Sequence, residues 1–188
     1  MSAKETLEKV YQQYVSSKRI YDLAKERTKR DKKFAIEIIP FQKAKKVQHE
    51  SNIINDYFDQ LYTDITELYI LKIITTFEKI VFDKIDNTYG VIKSIITSEY
   101  KKRSKKESVP LSRSIVSFIK NKEDIYSLSG ARSILENQIS KDLFEDLKEI
   151  IEYRNWLSHG KRQNVGKEST LNIGEIKEIL MNIIDEIG

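Results

Sequence analysis

Apolar residues recur every three or four positions along most of this chain, which is the spacing of amphipathic α-helices. Near the N-terminus the pattern includes Leu7 and Val10, and it predicts one long helix from about Lys4 to Ile38. Pro40 ends this helix, because a proline disfavours helical geometry at the residue before it. The chain therefore begins with a long amphipathic helix.

The middle of the chain is its most apolar part. A second helix is predicted after Pro40, and its continuation from Asp59 to Ile85 is the most apolar stretch. Asp86-Asn87, with Gly90 nearby, predicts a break, because these residues favour turns. A short helix is then expected from Val91 to Tyr100, followed by a charged loop.

The C-terminal part is predicted to contain shorter helices. The charged loop covers Arg103 to Pro110, and helices are expected at Leu111 to Ile119 and at Ala131 to Ile139, with a connection at Ile125 to Gly130 between them. No segment alternates as an isolated strand would. The pattern predicts an all-α fold, a helical bundle with long antiparallel helices in its core.

Two further helices follow Ser140. Ser140 suits an N-cap, and the helix it opens is expected to run to about Ser158, where Gly160 supplies a stop. A final helix is predicted from Asn172 or Gly174 to Ile187.

Composition narrows the classes of protein. The 188 residues, 39% hydrophobic and 33% charged, fit one globular domain spanning 1–188. The chain has no cysteine, which excludes disulfides and thiolate nucleophiles, and two distant histidines do not make a zinc site. We therefore expect no metal and no cofactor. The polar N-terminus and the lack of a long apolar run predict a cytoplasmic protein without a membrane segment.

Charge is distributed unevenly. The formal net charge is +4, and basic residues cluster at Lys18 to Lys33, at Lys101 to Lys106 and at Lys161-Arg162. Each cluster has two interpretations. One is a solvated helix face or loop, and the other is a surface that contacts a phosphate backbone.

Two charged residues lie on predicted core stripes. Arg154 falls at helical spacing from Leu147, Ile150 and Leu157, where a cation is costly unless it is paired or faces a cleft. Glu78 lies on the apolar face of the central helix and could balance Arg154. The alternative is that rotation of the helix leaves Glu78 at a boundary.

Asn155 and His159 lie four residues apart and share a helix face. His159 follows Arg154 by five residues, which is about 140° around an ideal helix. Because Gly160 ends the helix, we expect the last turn to open and to bring the imidazole towards the arginine. The three side chains would then converge beside the basic residues Lys161 and Arg162.

The segment from Tyr153 to Gly160 resembles the signature of HEPN domains (higher eukaryote and prokaryote nucleotide-binding). That signature is an Arg, usually followed by a polar residue such as Asn, with a His a few residues further on. Here it is Arg154-Asn155-x-x-x-His159. The resemblance covers part of the C-terminal half and implies a HEPN-like core at 59–188, whereas the long N-terminal helix, 1–40, has no assigned role.

The resemblance implies a metal-independent endoribonuclease, of the toxin or anti-phage defence type, that works on RNA as a homodimer. His159 would act as general acid or base and Arg154 would hold the phosphate. Asn155 would orient the histidine or bond the phosphate, Glu78 and Ser158 would support the site, and Lys161 and Arg162 would bind RNA. An antitoxin or another defence-system protein is the expected partner.

Two other functions remain open. The chain could be a non-catalytic HEPN-like module that binds a nucleotide or a partner protein, as the unassigned N-terminal helix suggests. It could also be a structural helical interaction protein, in which Arg154 and His159 serve stability alone.

Overall fold

The fold follows the predicted helical periodicity. The computed structural model describes residues 2–40, 51–103, 128–162 and 166–188, and within these ranges every regular element is an α-helix. The all-α prediction is confirmed. The helices are α1 (Ala3–Arg30), α2 (Lys32–Ile38), α3 (Ser51–Arg103), α4 (Leu128–Leu135), α5 (Lys141–Ser158) and α6 (Ile173–Glu186). No described helix is long and apolar enough to cross a membrane.

Four helices, α1, α3, α5 and α6, form the core, in which α1 runs antiparallel to α3 and to α6. Lys25 Nζ lies 2.6 Å from Asp59 Oδ1, and Lys72 Nζ donates to Gln13 Oε1 at 2.8 Å. Later residues of α1 thus contact earlier residues of α3, so these two helices run antiparallel. α6 packs against α1, α3 and α5, and the short α4 packs on α3. The predicted bundle of long antiparallel helices is therefore present.

Aliphatic side chains fill the centre of the bundle. A fully buried Ile or Leu contributes about 1.5–3 kcal/mol relative to an exposed one, so this cluster supplies most of the driving force for folding. Its most completely buried members are Leu7, Ile73, Ile150, Ile176, Leu180 and Ile183. A smaller cluster of Tyr21, Ile39, Ile54 and Phe58 joins α1 and the segment after α2 to the start of α3.

The first helix is shorter than predicted. α1 ends at Arg30, and Asp31 separates it from α2, so the prediction of one helix from Lys4 to Ile38 was wrong. The Asp31 carboxylate accepts hydrogen bonds from the backbone N–H groups of Lys33 and Phe34, at 3.0 and 3.2 Å. An Asp that caps the next helix competes with helix continuation, which explains the break.

The central helix is longer than predicted. α3 continues through Asp86, Asn87 and Gly90 to Arg103, so the predicted break there was wrong. One glycine inside a helix costs about 1 kcal/mol, which a helix of many turns tolerates. With 53 residues, α3 is roughly 80 Å long at 1.5 Å per residue. The loop predicted after Arg103 and the helix predicted at Leu111 to Ile119 lie outside the described residues.

The segment before α5 also differs from prediction. α4 begins at Leu128, inside the predicted connection, and ends at Leu135 instead of Ile139. Ala131, Leu135 and Ile139 are all buried, so an apolar spacing of four continues across the turn that ends the helix. Ser140 precedes α5 as predicted, but its side chain makes no capping hydrogen bond; its N–H donates to Glu186 Oε2 at 2.6 Å.

The last helix begins as the sequence predicts. The Asn172 side chain accepts from the N–H groups of Gly174 and Glu175, and the Glu175 carboxylate accepts from the Asn172 N–H at 2.8 Å. This reciprocal pair is a capping box.

Candidate functional site

The site is built on the face of α5 that packs against α3. Leu147, Ile150 and Leu157 on this face are buried in the core. Arg154 lies on the same stripe, and its side chain is 32% exposed. Its Nε is 3.4 Å from Glu78 Oε1, so of the two interpretations of Glu78 the structure has the pairing with Arg154.

Glu78 is the more buried partner of this ion pair. Its side chain is 12% exposed, and in the described part of the chain its Oε1 is shielded from solvent and accepts no hydrogen bond. Burial raises the pKa of Glu78 above its ordinary value, and the charge of Arg154 lowers that pKa by less. Arg154 therefore offsets only part of the cost of burying this carboxylate.

An apolar crevice lies beside Glu78. Its volume is only about 10 Å³, and α3, α4 and α5 all contribute to its walls. Arg132 of α4 also lines it, together with Val81 and Leu147. Glu78 is thus enclosed by apolar groups on this side, which accounts for the desolvation of its carboxylate.

Asn155 contacts the arginine directly. Arg154 Nη1 donates to Asn155 Oδ1 at 3.1 Å. The guanidinium is therefore held from two sides, by the carboxylate of α3 and by the neighbouring amide. In this arrangement Asn155 orients Arg154, whereas the sequence predicted contact with His159 or with a phosphate.

The end of α5 is a tight cap. Gly160 has φ +68°, its N–H donates to Leu157 O at 3.2 Å, and the N–H of Lys161 donates to Trp156 O at 2.7 Å. These two bonds define a Schellman motif, which confirms the predicted stop at Gly160. The N–H of His159 still donates to Asn155 O at 3.1 Å, so the predicted opening of the last turn is absent.

His159 is the C-cap of α5, and its side chain is exposed. Because the last turn stays helical, the imidazole projects about 140° from Arg154 around the helix. Arg154 and Asn155 are brought together. His159 lies on the Asn155 side of the helix, and its side chain makes no hydrogen bond with either residue in the described part of one chain. Ser158 faces its own helix, since its Oγ donates to the backbone O of Asn155 at 3.1 Å.

The basic residues after the helix differ from one another. Lys161 Nζ is 2.7 Å from Glu67 Oε1 and 5.7 Å from the centroid of the Trp156 ring. The hydrogen bond that Lys161 donates to Glu67 raises the pKa of Lys161. Lys161, predicted to bind RNA, is therefore already paired with a carboxylate, whereas Arg162 is exposed.

Sequence reasoning missed two residues that position α5. Glu67 precedes Glu78 by 11 residues, about three helical turns, so both carboxylates lie on one face of α3; this spacing was a usable signal. Gly166 lies against the backbone of α5. A Cβ at Gly166 would be 2.2 Å from Glu152 O and 2.5 Å from Trp156 N, so only glycine fits.

No cluster of three or more His, Asp or Glu side chains able to hold a metal ion occurs within residues 2–40, 51–103, 128–162 and 166–188. His49 lies outside these ranges. No protein-family profile, curated protein or solved structure matches this chain. The resemblance to HEPN domains thus depends on the motif residues themselves.

Proposed function

We propose that this protein is an endoribonuclease whose site contains Arg154, Asn155 and His159. The observation that carries the proposal is the Arg154–Glu78 pair. A guanidinium on a core stripe, held by a desolvated carboxylate and by Asn155, is a costly arrangement for stability alone. Perturbed, partly buried ionisable pairs of this kind are typical of functional sites.

The residues suit cleavage by the adjacent ribose. The 2′-oxygen attacks phosphorus while His159 takes its proton, and the bond from phosphorus to the 5′-oxygen breaks. The leaving oxygen takes a proton from a second imidazole or from water. Arg154 holds the phosphate and stabilises the added negative charge. The products are a 2′,3′-cyclic phosphate and a 5′-hydroxyl.

The angle of about 140° between Arg154 and His159 around α5 favours a site made by two chains. His159 of one protomer would approach the phosphate held by Arg154 of the other, and two imidazoles would then supply the acid and the base. We infer a homodimer that acts on RNA. We infer that the protein is a toxin or an anti-phage effector and that a partner protein controls its activity.

The test is RNA cleavage by purified protein in EDTA. Total RNA and transfer RNA are incubated with the wild type and with the His159→Ala and Arg154→Ala variants. His49→Ala is the matched control, because His49 is the other histidine of the chain. Cleavage by the wild type and by His49→Ala alone is expected. Absence of cleavage, or cleavage that persists in His159→Ala, contradicts the proposal.

A second candidate is a non-catalytic module that binds a nucleotide or a partner. Arg154 and Lys161 each already have a carboxylate partner, which favours a site that does not turn over RNA. Expression toxicity separates the two functions. A toxic wild type with a harmless Arg154→Ala variant indicates the enzyme, whereas nucleotide binding without RNA cleavage indicates the module.

A further inference from the structure

The net positive charge of the chain lies within one short segment. Residues 18–33 contain eight Lys or Arg and three Asp or Glu, a net charge of +5. The whole chain has a net charge of +4, so all other residues together carry −1. This segment covers the C-terminal half of α1 and the first turn of α2, outside the site described above.

The outward face of this half of α1 combines cations with large aliphatic residues. Tyr14, Tyr21 and Thr28 are buried on the opposite face. Ile20 and Leu23, three residues apart, are 69% and 65% exposed. Arg19, Arg27 and Arg30 lie around them and are exposed. We call these five residues the outer face of α1.

Most of the positive charge here lacks a full counter-charge. Lys29 and Arg30 share one carboxylate, that of Glu26, each at 3.4 Å. The guanidinium of Arg27 lies 4.3 Å from the centroid of the Phe34 ring, which holds it at the corner between α1 and α2. Arg19 makes no ion pair with any residue that the structure describes. The outer face is thus an apolar pair inside a ring of arginines.

This composition indicates what would cover the face. A nucleic-acid backbone would use the arginines but would leave Ile20 and Leu23 without a role. Protein interfaces have an apolar centre, a polar rim and an excess of arginine. We propose that the outer face of α1 binds an acidic, amphipathic helix of a partner protein. The apolar stripe of that helix covers Ile20 and Leu23, and its carboxylates contact the arginines.

The size of the face sets the expected affinity. A stable interface buries about 800 Å² on each partner, and a single short helix face offers less. The complex is therefore weak and reversible, with a Kd in the micromolar range, and it weakens as salt screens the carboxylate–arginine contacts. This inference does not depend on the ribonuclease activity.

The experiment titrates the full chain against a fluorescent synthetic peptide helix with leucines on one face and glutamates elsewhere. A peptide of the same composition with the leucines spread around the helix is the control ligand. Ile20→Ser/Leu23→Ser is compared with Ile92→Ser/Ile95→Ser, which removes a similar pair, 46% and 57% exposed, from α3. Circular dichroism confirms that both variants fold.

The proposal predicts micromolar binding of the patterned peptide, weakened at least tenfold by Ile20→Ser/Leu23→Ser and unchanged by Ile92→Ser/Ile95→Ser. A 2′-O-methyl RNA oligonucleotide and vesicles of anionic lipid are titrated in parallel. Three results overturn the proposal: no binding of the patterned peptide, equal binding by both variants, or binding of RNA or vesicles that depends on Ile20 and Leu23.

Discussion

Two carboxylate–cation pairs join α3 to α5 and to the turn that follows it, and they differ in burial and in hydrogen bonding. Glu67 and Lys161 meet at 2.7 Å, with side chains 23% and 44% exposed. Glu78 and Arg154 are 3.4 Å apart, and the carboxylate is only 12% exposed. The first pair is at hydrogen-bonding distance and remains partly solvated. The second pair is longer, and its carboxylate is largely removed from water.

The difference shows which pair lowers the stability of the fold. An exposed pair contributes about 0–1 kcal/mol, and its removal changes little. A desolvated ion pair stabilises the fold only when hydrogen bonds to both partners offset the free energy of desolvation. Glu78 Oε1 accepts no hydrogen bond among the described residues. Glu67–Lys161 is therefore an ordinary surface salt bridge. Glu78–Arg154 is a pair whose retention calls for a role beyond stability.

Breaking the buried pair from the cation side has the largest expected effect. Arg154→Leu leaves the Glu78 carboxylate desolvated without its counter-charge. We expect RNA cleavage to be lost and the free energy of unfolding at neutral pH to fall by about 2–4 kcal/mol. Urea unfolding measures the second quantity. Arg132→Leu, which changes another arginine beside the same crevice, is the control. Equal stability of Arg154→Leu and wild type would contradict this interpretation of Glu78.

Both ion pairs require that α5 keeps its position against α3, and a substitution of Gly166 tests this requirement. In Gly166→Ala the new Cβ would clash with Glu152 O at 2.2 Å, so the loop or the helix must shift. We expect a loss of about 1–3 kcal/mol, as for overpacked sites, with reduced cleavage. Gly90→Ala is the matched control, because a Cβ there meets nothing within 4 Å. That change should stabilise the helix by about 0.5–1 kcal/mol. Similar thermal melting of both variants would refute the close packing.

Breaking the buried pair from the anion side has a smaller effect on stability. Glu78→Gln removes the charge that burial penalises together with the attraction of Arg154, so at neutral pH the free energy of unfolding should change by less than about 1 kcal/mol. Cleavage should fall clearly, because Arg154 loses its anchor. Full cleavage by Glu78→Gln would show that this anchor is not needed.

The same variant reveals the pH dependence. The folded-state pKa of Glu78 is raised above its ordinary 4.5, so the folded chain binds this proton more tightly than the unfolded chain. The contribution of the protonated Glu78 to the free energy of unfolding is fully present below pH 4.5, and it is lost as the pH rises through the raised pKa of Glu78. Wild type should therefore gain stability relative to Glu78→Gln as pH falls through this window, in paired urea titrations. A gain in the opposite direction would mean that the pKa is lowered.

Breaking the exposed pair has the smallest expected effect. Lys161→Ala and Glu67→Gln should each lower the free energy of unfolding by about 0.2–1 kcal/mol, less at high salt. A double-mutant cycle measures the coupling between them. A coupling above that of Glu78 and Arg154 would reverse the comparison.

The sequence predicted what depends on local periodicity and on end signals. The all-α class, the stop at Gly160 and the start of the last helix near Asn172 followed from spacing and end signals on single helices. The pairing of Glu78 with Arg154 was one of two open interpretations, because spacing on one helix does not fix how it is rotated against another. Asp31 and Gly90 were misjudged for opposite reasons. The Asp31 carboxylate caps α2 and so ends α1, whereas one glycine costs only about 1 kcal/mol, which the long α3 tolerates. The contact of Gly166 with α5 depends on how a loop returns, which no local pattern contains.

We propose that the ribose 2′-hydroxyl attacks the phosphate that Arg154 holds. The most direct measurement uses one oligonucleotide sequence made as RNA, as 2′-deoxy and as RNA with a single 2′-O-methyl at the mapped cut, each incubated with wild type in EDTA. We predict cleavage of the RNA alone, with a 2′,3′-cyclic phosphate at the new end, and no cleavage by His159→Ala. Cleavage of the 2′-deoxy chain, or no cleavage of any RNA, would contradict attack by the 2′-hydroxyl.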